Sequence, residues 1–330
     1  MNIPDERLDA EDAAAAQENP RADRSRAVLG VIAVAVVIAA AGLAIYHQRR
    51  SFASALHHVG ISSMLASLLV AALSTALTFL VWRGVLHGLG VDMPWGLGVR
   101  VFFTSQLGKY LPGSVWPVLI QMEAGRARGA SRRTMLAANL VTIVLSCAVG
   151  FTVASALLPL TDSRALSRYW WLLVALPFLL ALLHPRAVPM VLDRVFALLR
   201  REPLGQRLPV RDSVMASAWS VASFVAQGLH IAILVLAIHG GGFSTVLLCI
   251  GGMALAVSAG VLFIPAPAGA GIRDVLLSLV LSGVLTSGEA LAVVVASRVI
   301  LIVADLTLAA AAVTAERVVR RDGQREAAAA

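Results

Sequence analysis

Six apolar runs, residues 28–46, 61–82, 134–159, 213–238, 243–264 and 289–315, dominate this chain. Each is about as long as the 20 or so helical residues needed to cross a lipid bilayer. A shorter run at 169–184 is of marginal length. None alternates with period two, and all are rich in Leu, Ala and Val, so they read as helices and not as strands of an outer-membrane barrel. The composition agrees. Hydrophobic residues make up 58% and charged residues 14% of the chain, and the mean hydropathy is +0.82, whereas soluble domains carry about 25% charged residues. The expectation is an all-α, polytopic integral membrane bundle of about eight spans, counting one interrupted segment as a crossing.

The net charge of +8 does not point to nucleic acid. The arginines gather at the ends of the apolar runs, with no basic face of interleaved aromatics. They are dense at Arg126, Arg128, Arg132 and Arg133, again from Arg186 to Arg211, and again from Arg317 to Arg325. The positive-inside bias places these on the cytoplasmic side of a cell membrane. Arg21, Arg24 and Arg26 place the N-terminus there as well. Residues 1–27 read as a disordered cytoplasmic tail, 28–317 as the membrane domain, and 318–330 as a second cytoplasmic tail. The connections at 160–168 and 239–242 then face outside. Between 185 and 212 the apolar spacing fits an amphipathic helix at the headgroups or a plain cytosolic connector.

Two apolar segments contain helix breakers. Residues 99–122 carry Pro112, Gly113 and Pro117, and residues 261–281 carry Pro265, Pro267, Gly269 and Gly271. Proline removes a backbone donor and clashes with the preceding turn, and glycine opens conformations closed to other residues. Interrupted backbone at membrane depth must be sheltered within protein or beside a water-filled cavity. Each broken segment follows two apolar runs and precedes another, which reads as a diverged internal duplication. Matching breaks in two halves mark transporter binding sites; ordinary proline-containing loops are the plainer alternative. Whether either segment spans or re-enters is left open by the sequence.

Charges inside apolar runs point the same way. Lys109 is the only lysine among 27 basic residues and lies three positions before Pro112. An ammonium can hold a phosphate as a point charge. Arg273 and Asp274 follow the second set of glycines, where Asp274 suits either a helix cap or a partner for Arg273. Arg298 and Asp305, seven residues apart, share a helix face but lie roughly 10 Å apart along it, too far to pair with each other. Asp274 is the expected partner of Arg298, and Lys109 or Arg273 that of Asp305; fold-stabilising ion pairs would need the same residues. Polar stripes run at helical spacing through Ser220, Ser223, Gln227 and His230, and through Asn139, Thr142, Ser146 and Gly150. Both should face inward, as cavity lining or as helix-packing contacts. Cys147 and Cys249 lie in apolar runs and read as buried thiols. No metal-ligand spacing, nucleotide-binding loop or nucleophilic triad appears, and no cofactor is expected.

The run GKYLPGSVW, from Gly108 to Trp116, with Arg126 and Gly129 after it, resembles the flippase-like transmembrane domain of lysylphosphatidylglycerol synthases and their stand-alone relatives. The run PAPAGAGIRD resembles that family's second signature through Pro267, Gly269, Gly271 and Arg273, with Ala268 in place of a glycine and Asp274 in place of a glutamate. Arg298 also matches a family position. The likeness spans residues 28–317. It implies movement of a lipid, aminoacylated or glycosylated, between leaflets. The soluble aminoacyl-transferase domain of the full synthases has no counterpart here, so lipid synthesis is not expected. On this reading Gln106, Lys109, Tyr110, Arg273 and Arg298 line a headgroup cavity, with Gln227 and His230 as polar lining. Two other classes stay open: a membrane enzyme using a lipid-linked donor, and a non-transporting partner subunit of an envelope enzyme, in either case as a homo-oligomer or alone.

Overall fold

The structure is a computed structural model. It describes residues 59–110, 115–127, 129–161, 165–184, 208–262 and 271–329, with isolated positions between 187 and 194. The first apolar run, the tail expected before residue 28, most of 185–207, and the breaker residues Pro112, Gly113, Pro265, Pro267 and Gly269 lie outside them.

Nine α-helices are found among the described residues, and no strand. They are α1 (Ile61–Gly88), α2 (Trp95–Gln106), α3 (Trp116–Arg126), α4 (Arg132–Leu157), α5 (Ala165–Leu182), α6 (Val210–His239), α7 (Phe243–Leu262), α8 (Ile272–Leu281) and α9 (Ser287–Ala329). Five of these stretches are long and apolar enough to cross a membrane: Ile61–Gly88, Arg132–Leu160, Val210–His239, Phe243–Leu262 and Ser287–Ala315. They coincide with five of the runs read from the sequence. The marginal run at 169–184 lies in α5, which begins earlier, at Ala165. Helix α9 continues past the apolar run to Ala329.

The bundle is inverted relative to a soluble protein. Along α1, Ile61, Leu65, Leu69 and Leu73 recur every four residues on the outer face, and Leu69 is 71% exposed. Water would penalise such a stripe, whereas lipid tails match it. The inner side holds small and polar residues instead, including Ser67, Ala71, Ser74 and Thr75. This face meets α6 in antiparallel fashion. Ser67 Oγ donates to the His230 carbonyl (2.9 Å), Ser223 Oγ to the Ser74 carbonyl (3.0 Å), and Gly88 abuts Leu208 and Asp212.

Helix α7 returns beside α6 after the three-residue turn at 240–242. A Cβ on Gly228 would lie 2.2 Å from the Ile250 Cα, so only glycine permits this approach. Helix α4 runs against α7, with Gly150 and Cys147 at Ser258 and Leu158 at Gly251. Helix α9 runs with α1, since one apolar cluster joins Val59 to Ala290 and another joins Leu86 to Ala309 and Ala312. Thus α1, α7 and α9 point one way and α4 and α6 the other. The two halves share their order of elements, but α4 and α9, the helices that follow the breaks, run in opposite directions.

The first broken segment is a helical hairpin. Gln121 Nε2 donates to Ser105 Oγ across it (2.8 Å), and Gly108 lies directly against Trp116 and Pro117. Both contacts fold α3 back against the end of α2. At the hairpin's inner end Lys109 and Tyr110 contact Asp305, which also meets Thr75, halfway along α1, so the hairpin enters part-way and returns. At its return, Gly125 packs on Met135 at the start of α4. Helix α8 likewise runs back along α7, with Val280 against Gly252.

Candidate functional site

Helix α2 ends in a 3-10 turn, Leu107–Tyr110, which carries Lys109 to the hairpin tip. A cation suits this place because a helix C-terminus presents unpaired carbonyls. There Lys109 Nζ lies 2.7 Å from Asp305 Oδ2 of α9. Tyr110 Oη donates to the same oxygen at 2.5 Å, and Thr75 Oγ1 of α1 donates to Oδ1 at 3.5 Å. The carboxylate is fully buried, while 31% of the Lys109 side chain stays exposed. A buried carboxylate needs such partners, since desolvating it alone costs several kcal/mol. Lys109 therefore has one face bound and one face open. Gln106 Oε1 accepts a long contact from its Nζ, 3.4 Å.

Two turns back along α9, Arg298 holds Asp274 of α8 as a fork. Its Nε contacts Oδ1 at 2.9 Å and Oδ2 at 3.0 Å, and its Nη2 contacts Oδ2 at 2.7 Å. The planar guanidinium makes this a paired, oriented contact. Asp274 also caps α8, accepting from the Gly271 amide at 3.2 Å. The capping and ion-pair roles of Asp274 thus combine, and its partner is Arg298, as expected, and not Arg273.

Arg273 is left differently. Its Nη2 donates to Ser297 Oγ at 3.4 Å, and Ser297 shares a 2.8 Å hydrogen bond with His230 Nε2. Its Nε is sealed from solvent and has no hydrogen-bond partner among the described residues. Arg273 lies within electrostatic reach of Arg298, Asp274, Tyr110 and Asp305. The first hairpin tip and the start of α8 therefore meet across one face of α9, with Ser297, Arg298 and Asp305 along it.

Of the sequence-level candidates, Gln106, Lys109, Tyr110, Gly271, Arg273, Asp274, Arg298, Asp305 and His230 gather in this region. Gln227 is turned to its own helix, where its Nε2 donates to Ser223 Oγ at 3.1 Å. The stripe from Ser220 to His230 faces inward, but Ser223 is taken up by α1. In the stripe on α4, Asn139 and Thr142 donate to carbonyls one turn back, of Met135 and Ala138, and Gly150 packs against Ser258 of α7. Pro112, Gly113, Pro265, Pro267 and Gly269 are outside the described residues. Thr75 and Ser297 belong to the cluster and were not singled out by sequence. Ser297 directly precedes Arg298, but a lone serine in an apolar run carries no signal without its neighbours.

Among the described residues no group of three or more His, Cys, Asp or Glu is placed to hold a metal ion. No curated protein matches the chain. The family described as the lysylphosphatidylglycerol synthase TM region matches residues 28–309, which takes in the hairpin, the start of α8 and the charged face of α9. The chain is a multi-pass helical membrane protein and belongs to that family.

Proposed function

We propose that this protein binds the headgroup of a membrane phospholipid or glycolipid at the charged cluster and carries it between leaflets of the cytoplasmic membrane. One observation carries the reading: Lys109, at the tip of a hairpin that enters part-way, is pinned to a fully buried Asp305 yet keeps 31% of its side chain open. A purely structural ion pair gains nothing from a partly open lysine side chain at such depth, where charge is costly. A lipid phosphate arriving there gains charge-assisted hydrogen bonds while its acyl chains stay among the outward-facing Val115 and, on α3, Trp116, Leu119 and Ile120. The hairpin and α6 open toward the end bearing Arg126, Arg132, Arg133 and Arg211, which the positive-inside bias makes cytoplasmic. On this reading the end of α9 lies on the same side. The two mid-depth carboxylates are engaged as ion-pair partners, which favours a carrier over a catalyst.

Reconstituted vesicles with tail-labelled phospholipids test this. The intact protein should move label between leaflets well above protein-free vesicles. Because Lys109→Ala alone strands Asp305, the informative variant is Lys109→Ala with Asp305→Asn, which should fall at least about tenfold, the worth of one charge-assisted hydrogen bond. Equal rates for this variant and the parent would remove Lys109 from the mechanism. Absence of lipid movement with turnover of a labelled lipid-linked sugar would assign an enzyme instead, and absence of both with a stoichiometric co-purifying protein would assign a partner subunit.

A further inference from the structure

Resting on that reading, we infer that the headgroup taken by this chain is anionic and lacks a free amine, and that Arg273 is the group that holds its phosphate. The charges require this. Among the described residues, Lys109, Arg273 and Arg298 face Asp274 and Asp305, which leaves one positive charge in excess there. The excess is localised. Lys109 has Asp305 and Arg298 has Asp274, while Arg273 makes a single long hydrogen bond among the described residues, to Ser297, and leaves its Nε unsatisfied.

Its position sharpens the need. Arg273 stands in the first turn of α8, where a helix already presents positive potential, and Asp274 beside it is drawn off by the Arg298 fork. Residues 111–114 and 263–270, which complete the two breaks in the chain, contain no acid or base in their sequence and so cannot supply the missing anion. A buried guanidinium donor without a partner costs free energy that a phosphate oxygen would restore.

An aminoacylated or otherwise cationic headgroup meets the opposite situation. Its ammonium would enter an already positive cluster and find no free acceptor. Both Asp274 oxygens contact Arg298, and Oδ2 also accepts from the Gly271 amide. The Asp305 oxygens are occupied by Lys109, Tyr110 and Thr75. A phosphate diester bearing only hydroxyls, as in phosphatidylglycerol, adds the one negative charge that neutralises the cluster.

The test is lipid retention, which needs no transport. The full-length protein in detergent is offered an equimolar mixture of phosphatidylglycerol and its aminoacylated form, and retained lipid is measured by mass spectrometry. Phosphatidylglycerol should be enriched at least about tenfold, the scale of one charge-assisted contact. Arg273→Gln should bring the ratio to within about twofold, and Arg273→Lys should keep part of it. Equal retention of both lipids by the parent protein, or an unchanged ratio in Arg273→Gln, overturns the inference and leaves lipid movement untouched. Displacement of retained lipid by millimolar inorganic phosphate would assign the site to a soluble anion and also overturn it. Selective retention without movement in vesicles would uphold the anionic site while defeating the transport reading.

Discussion

Asp305→Ala is expected to destabilise the folded protein by about 3 kcal/mol, the lower end of the 3–5 kcal/mol found when one partner of a buried pair is removed. The lower end applies because Lys109 keeps 31% exposure and regains some solvation. Asp305 ties the hairpin tip to α9 through the side chains of both Lys109 and Tyr110, and it also reaches Thr75 of α1. Losing it strands an ammonium and a phenol at depth. Asp305→Asn keeps hydrogen bonding to Tyr110 and Thr75 and should lose less. Lys109→Met combined with Asp305→Leu removes both charges, so it should recover most of the loss. Equilibrium unfolding in mixed micelles measures all three. A change below about 0.5 kcal/mol for Asp305→Ala, the range of ordinary surface substitutions, would show that the pair does not hold the hairpin.

Gly228→Ala should cost a similar amount for an unrelated reason. The new Cβ would lie 2.2 Å from the Ile250 Cα and 2.6 Å from its Cγ1. A clash with backbone cannot be relieved by rotating a side chain, so α6 and α7 must separate along a joint lined by small residues. About 3 kcal/mol is expected, at the upper end of overpacking penalties. Gly84→Ala provides the control. It lies in α1 with nothing within 4 Å of the added methyl, and should leave stability unchanged or raise it by up to about 1 kcal/mol. The same thermal or denaturant transition in both variants checks the contrast. Equal behaviour of the two would mean that α6 and α7 do not approach as closely as described.

The helices were legible because crossing oil demands a long apolar run, and little else produces one. The run at 213–238 and the helix Val210–His239 differ only by residues at the ends, where Pro209 and Gly240 bound it. The charges inside the runs were legible as needing partners, for the same energetic reason. The pairing of Arg298 with Asp274 was legible too; the choice of cation for Asp305 was not. Lys109 and Arg273 are equally suitable for Asp305 by chemistry, and only the path of the hairpin puts Lys109 there. That path is the largest thing the sequence withheld. Proline and glycine mark where a helix stops, but the turn back that sets Gln121 beside Ser105 depends on contacts between residues 16 apart. The polar stripes show a related limit. Their period gave the inward face of α6, yet whether that face lines a cavity or packs on a neighbour rests on α1, whose Ser67, Ser74 and Thr78 take up much of it.

The most direct measurement is an electron cryomicroscopy structure of the full-length protein in nanodiscs containing phosphatidylglycerol. Headgroup density should sit between the hairpin tip and the start of α8, with its phosphate within about 3 Å of Arg273 and the open side of Lys109. A hairpin tip sealed against α8 and α9, with Lys109 and Arg273 both satisfied by protein and lipid only around the outside of the bundle, would contradict it.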